Sequence, residues 1–215
     1  MAVRPYTPRE EIANAATHGG GALASAVALC WLVICASRYG DARRVIGGAL
    51  FGAAAVLLFG ASTLYHSARR PDLKQMLRKI DHCAIYVLIA ATYSAFTLSV
   101  MRNRTGWALF AAVWMLAALG IAAEVVRRHH RPLHAALLYV TMGWVGLVTI
   151  RELIATLTGT ELAWVLAGGV FYTAGVPFYV AKSRPYAHCV WHLFVLAGVA
   201  CHFVAVRDVM RAAGS

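Results

Sequence analysis

The chain has 215 residues, 60% hydrophobic and only 13% charged, with a formal net charge of +11. A water-soluble helical protein this apolar would need a larger core than 215 residues can enclose, so the bilayer is the expected solvent. The positive charge has no domain outside the membrane on which to hold nucleic acid, and that class is set aside too.

Seven apolar stretches follow one another, each of a length that crosses a hydrocarbon core as helix: 15–36, 45–66, 80–101, 106–126, 132–150, 162–181 and 186–206. The expected fold is therefore all-α, one bundle of seven transmembrane helices over residues 1–215. The first stretch is too long for a signal-peptide core, follows Glu10 and Glu11 and lacks a cleavage site, so it reads as a retained helix. Gly48 and Gly52 give the second helix a small-xxx-small contact face. Pro177 is expected to kink the sixth. All five cysteines fall inside apolar runs and their number is odd, which indicates no disulfide framework.

The gaps between stretches are short and basic. Of the 20 Lys and Arg, twelve lie on the side of the N-terminus, with Arg69, Arg70, Lys74, Arg78 and Lys79 as the largest group, and eight lie on the other. The positive-inside bias puts the N-terminus in the cytoplasm and, after seven crossings, the C-terminus outside.

That orientation brings several polar residues to one depth. Ser62 and His66 stand at the inner end of the second helix, Asp81 is expected in the first turn of the third, and His188 and His192 fall in the first two turns of the seventh. The pair His188 and His192 is spaced i, i+4, so both rings lie on one helix face; Ser62 and His66 repeat the spacing. Three imidazoles suit zinc, which prefers nitrogen ligands in a tetrahedron and in catalytic sites leaves the fourth position to water. Spacing alone does not separate zinc from other imidazole-seeking divalent metals. Asp81 could take that water's proton, and Ser62 could hold the water or steady an oxyanion. The bland alternative for a single His pair is a hydrogen-bonded packing device. His66 and Asp81 at the same depth favour the functional reading, because ionisable groups within a membrane are costly.

The stretches ANAATHGG, STLYH, KIDHCAIYVLIAATYSAF, GGVFYTAGVPFY and HCVWHLFVLAGVACHF resemble, in order and over nearly the whole chain, the motifs of the bacterial hemolysin III family. That family stands with the progestin and adipoQ receptors, which include the adiponectin receptors, and is more distantly similar to alkaline ceramidases. The resemblance implies zinc held by His66, His188 and His192 near the cytoplasmic side of the bacterial inner membrane, with Asp81 contacting the zinc-bound water. It also covers the pattern Glu11, Asn14, Thr17 and His18, to which it assigns no role. The segment from His66 to Asp81 is compact and no domain that could dock a protein hormone is expected, so a hormone-receptor role is not carried over.

The remaining polar residues read as follows. His18 could cap the site from the side, although interfacial solvation is the preferred reading. Glu124 is expected to snorkel or to pair with Arg127 or Arg128, and the run RRHHR to lie against anionic headgroups. His82 should point about 100° away from Asp81 and make a poor ligand. His202 is too far along its helix to join the site. Cys83 and Cys189 read as packing residues, Trp107 and Tyr186 as interfacial anchors. The functional expectation is a zinc-dependent amide or ester hydrolase acting on a membrane lipid. The alternative is a non-enzymatic sensor of membrane state in which the metal is a staple. A pore-forming cytolysin ranks third, since no polar pore-lining stripe is evident.

Overall fold

A computed structural model describes residues 5–39, 41–126, 132–181 and 183–211. Among them there is no strand, and seven spans are long and apolar enough to cross a membrane. The helices are α1 (Pro8–Tyr39), α2 (Ala42–Ser67), α3 (Pro71–Thr97), α4 (Arg104–Val126), α5 (Pro132–Trp144), α6 (Ile150–Thr156), α7 (Gly159–Val180) and α8 (Ala187–Arg211). A 3-10 turn, Val145–Thr149, joins α5 to α6, and the three together make the fifth span.

Local signals set several of these limits. Asp41 caps α2 by accepting from the Arg43 and Arg44 amides. Pro71 opens α3, where its missing N–H costs nothing. Thr158 and Glu161 form a reciprocal capping box on α7. Pro177 lies inside α7 near its end: the helix runs through it and stops at Val180.

Two helices extend further than their apolar stretches suggest. α1 begins at Pro8, and α3 begins at Pro71 rather than at 80 and ends at Thr97. Asp81 consequently lies in the third turn of α3 and not the first, because the polar run after Pro71 is already helical. The fifth span departs in another way. It breaks at Trp144, and the backbone groups freed there are met by one side chain: Tyr93 Oη donates to the Gly143 carbonyl at 2.5 Å and accepts from the Gly146 amide at 2.9 Å. A side chain inserted into the ladder is a known cause of such a break.

The spans close into a ring. α1 packs on α2, α2 on α3, α3 on α4, α4 and α5 on one another, α5 on α7, α7 on α8, and α8 returns to α1; α3 and α8 also meet across the middle. Glycine sets how near α1 and α2 come, since a Cβ at Gly52 would stand 2.8 Å from Leu29 Cα. The small contact face expected at Gly48 and Gly52 is thus directed at α1. Large apolar side chains such as Leu23, Val27, Leu119 and Val148 face outward, while Asn14, Ser62, His66, Asp81 and His192 are buried. This arrangement of apolar outside and polar inside suits a lipid solvent and marks a multi-pass integral membrane protein. All five cysteines are free.

Candidate metal centre

Four helix segments meet at the end of the bundle that carries the N-terminus. The start of α1 brings Glu11, Asn14, Thr17 and His18, the end of α2 brings Ser62 and His66, α3 brings Asp81, and the start of α8 brings His188 and His192. His66, His188 and His192 each offer a ring nitrogen, and these three atoms lie within 4.8 Å of one another. The rings are 4.5 to 5.1 Å apart between centroids, and all three residues are buried. Such a group could hold a metal ion.

Hydrogen bonds fix which nitrogen of two rings is available. His66 Nδ1 lies 2.6 Å from Glu11 Oε2, and a carboxylate oxygen only accepts, so Nδ1 carries the proton. His66 Nε2 is then the lone-pair nitrogen, and it is buried without a hydrogen-bond partner. His192 Nδ1 lies 3.3 Å from the Asn14 carbonyl oxygen and 3.2 Å from Thr17 Oγ1. The Thr17 hydroxyl lies 2.9 Å from both the Ala13 and Asn14 carbonyls, which take its proton, so it accepts from His192. Its Nε2 is likewise left with the lone pair. Metal-ligating histidines are commonly oriented in this way by a donation from the other ring nitrogen.

Glu11 is itself held. Lys74 Nζ stands 2.9 Å from Glu11 Oε1 and also donates to the Tyr65 and Ala68 carbonyls at the end of α2. Nearby, Glu10 accepts from the Tyr186 amide at 3.0 Å. Tyr186 takes a left-handed backbone conformation, φ 56°, immediately before α8. α1 therefore holds both the His66 ring and the start of the helix that carries His188.

A cavity of about 20 Å³ opens beside the imidazoles, lined by Ser62, Asp81, His188 and His192 among others, with room for about one water. Ser62 Oγ is fully buried and has no hydrogen-bond partner. A second, apolar cavity of about 130 Å³ runs between α3, α5, α7 and α8 toward the opposite end of the bundle. The two share Leu58, Ile85, Trp191 and Val195 in their walls.

The residues singled out in the sequence are thus brought together: His66, His188 and His192 as one group, with Asp81 and Ser62 on the adjoining cavity. Two other expectations change. His18 is not solvated at an interface but buried, its ring stacked on His192 at 3.5 Å between centroids. Glu124 pairs with His82 Nδ1 at 3.1 Å; Arg127, Arg128 and the RRHHR run lie outside the described residues. His82, as expected, is no member of the imidazole group. Glu11, Asn14 and Thr17 carried a signal only as a pattern without a role. The structure supplies what they touch.

The family model described as haemolysin-III related matches residues 6–203. The chain is 42% identical over 200 residues to hemolysin-3 of Bacillus cereus, covering 92% of this chain and 90% of that one. It is 40% identical over 201 residues to a hemolysin-3 homolog of Bacillus subtilis strain 168, covering 94% of each. A more distant likeness, 28% over 178 residues, reaches the human monocyte to macrophage differentiation factor, covering 77% and 71%. With the family model spanning nearly the whole chain and relatives at this identity, the protein belongs to the haemolysin-III related family.

Proposed function

We propose that the protein is a zinc-dependent hydrolase of a membrane lipid amide or ester, with its centre near the cytoplasmic face of a bacterial inner membrane. The observation that carries this reading is the junction of the two cavities. A polar pocket lined by the His188 and His192 imidazoles, a carboxylate and a free hydroxyl, with the His66 ring beside those two, abuts an apolar cavity at four shared residues. A scissile carbonyl at the first and an acyl chain in the second would occupy both.

The donor set fits zinc, since two of the three imidazoles have their protonated nitrogen already committed to α1. Zinc, when bound, supplies Lewis acidity toward a carbonyl oxygen and lowers the pKa of water. The chain's own groups do the rest. Asp81 takes a proton from the attacking water onto a carboxylate oxygen and returns it to the leaving nitrogen or oxygen as the C–N or C–O bond breaks. Ser62 Oγ–H donates to the oxyanion as the carbonyl carbon becomes tetrahedral. Tyr179, Trp191 and Leu58, all buried, form part of the pocket's wall.

Two variants separate this from a structural role. Asp81→Asn keeps the shape of the carboxylate but is no base, so lipid hydrolysis should fall about 10²- to 10⁴-fold with metal content and thermal stability retained. His192→Ala should lose metal and stability together. Wild-type hydrolysis rates in Asp81→Asn would refute the mechanism. Absence of zinc-dependent turnover across a broad lipid panel, with His192→Ala still destabilised, would move the protein to the class of membrane-state sensors with a structural metal.

A further inference from the structure

The wall of the larger cavity includes a side chain with a polar atom for which neither the metal centre nor the helix packing accounts. His202 stands in its wall on α8, nine-tenths buried. Its Nε2 lies 3.1 Å from the Val165 carbonyl oxygen on α7. A carbonyl only accepts, so Nε2 carries the proton and Nδ1 the lone pair. Nδ1 is buried with no hydrogen-bond partner. Gly168 makes room for the ring, because a Cβ there would come within 2.3 Å of His202 Cδ2 and Nε2. An imidazole has been accommodated where an apolar side chain would cost less.

Most other polar side chains of this wall are already committed. Thr92 donates to Leu88, Thr97 to Tyr93, Tyr139 to His82 and Thr173 to Gly169, each to a backbone carbonyl, while Tyr93 bridges the break in the fifth span. His202 Nδ1 remains as a buried acceptor on a side chain of this wall.

Resting on the lipid reading of the metal centre, we propose that this cavity takes a chain bearing a mid-chain hydroxyl, which donates to His202 Nδ1. The position of that hydroxyl follows from the helix. His202 is ten residues beyond His192 on α8, about 15 Å along the axis. An extended chain advances about 1.2 Å per bond, so the hydroxyl falls about a dozen carbons from the carbonyl at the metal centre.

The test uses the purified, zinc-loaded full chain and a fluorescent fatty acid displaced by stearic, 12-hydroxystearic or 6-hydroxystearic acid. 12-hydroxystearic acid should displace the probe at about 5-fold lower concentration than stearic acid, the effect of one added hydrogen bond. 6-hydroxystearic acid, whose hydroxyl would meet apolar walls, should bind more weakly than stearic acid. His202→Leu should abolish the preference for the 12-hydroxy acid while still binding stearic acid. Stearic acid binding with no gain from the 12-hydroxyl in wild type, or a gain that persists in His202→Leu, would overturn the hydroxyl proposal and leave the lipid reading intact. Displacement by none of the three acids would overturn both. The wild-type series reads the proposal without relying on any variant.

Discussion

Glu11 shows how a side chain outside the imidazole group can set which nitrogen of a ring is left with its lone pair. Its carboxylate receives the His66 Nδ1 proton at 2.6 Å and is braced by Lys74 at 2.9 Å, so His66 turns Nε2 inward. Glu11→Ala should lower zinc affinity about 10- to 100-fold in a chelator competition, with the metal-free protein melting close to wild type. Glu11→Gln, which keeps an acceptor, should recover part of the loss. Equal zinc affinity in all three would show that Glu11 does not orient the ring. His66, His188, His192, Asp81 and Ser62 were legible in the sequence because each is a polar group in an apolar run and all fall at one depth. Glu11 and Asn14 were not, for a physical reason: they precede the apolar stretch at 15–36, and their contacts come from the packing of α1 between α2 and α8. His18 departs from its expected interfacial place on the same ground, since depth along a helix says nothing about which neighbour covers it.

At the scale of elements, apolar length located all seven spans but not their ends. The polar turns after Pro71 continue the helix inward, which carries Asp81 to the third turn of α3 without moving it from the depth of the imidazoles. The break in the fifth span is set by Tyr93, a residue of α3, and hence could not be read from the span itself. At the other end of the bundle, Asp41 caps α2 and is gripped by Arg102, whose Nη1 and Nη2 both donate to it, Nη2 at 2.9 Å. The Arg102 hydrogen bonds, aided by the Arg44 amide, hold the Asp41 carboxyl at about 2, below its ordinary 3.8. A depressed folded-state pKa means that the contribution is complete above the ordinary value and is lost as pH falls through about 2. Asp41→Ala should therefore cost about 1 kcal/mol near neutrality, mainly through the lost cap. Thermal melts of the two proteins should converge as the pH is taken from 4 toward 2; a constant difference would assign the cost to something other than the charged carboxylate.

For the whole molecule, a ring of seven spans puts the start of α1, the end of α2 and the start of α8 at one end, and this is what lets residues so far apart in sequence share a centre. By the order of the apolar stretches in the sequence, twelve of the 20 Lys and Arg are assigned to that side, and the proposed orientation makes it cytoplasmic. A reporter in the loop at residues 69–70 should behave as cytoplasmic and one fused after Ser215 as external; the reverse at both positions would place the centre on the outer face. The central claim, that three buried imidazoles from α2 and α8 hold a metal, is tested most directly by elemental analysis of detergent-purified protein prepared without chelator, beside His188→Ala. The expected result is about one zinc per chain in the wild type and a large loss in the variant. A folded wild-type protein containing no stoichiometric metal, or a His188→Ala variant retaining all of it, would contradict the claim.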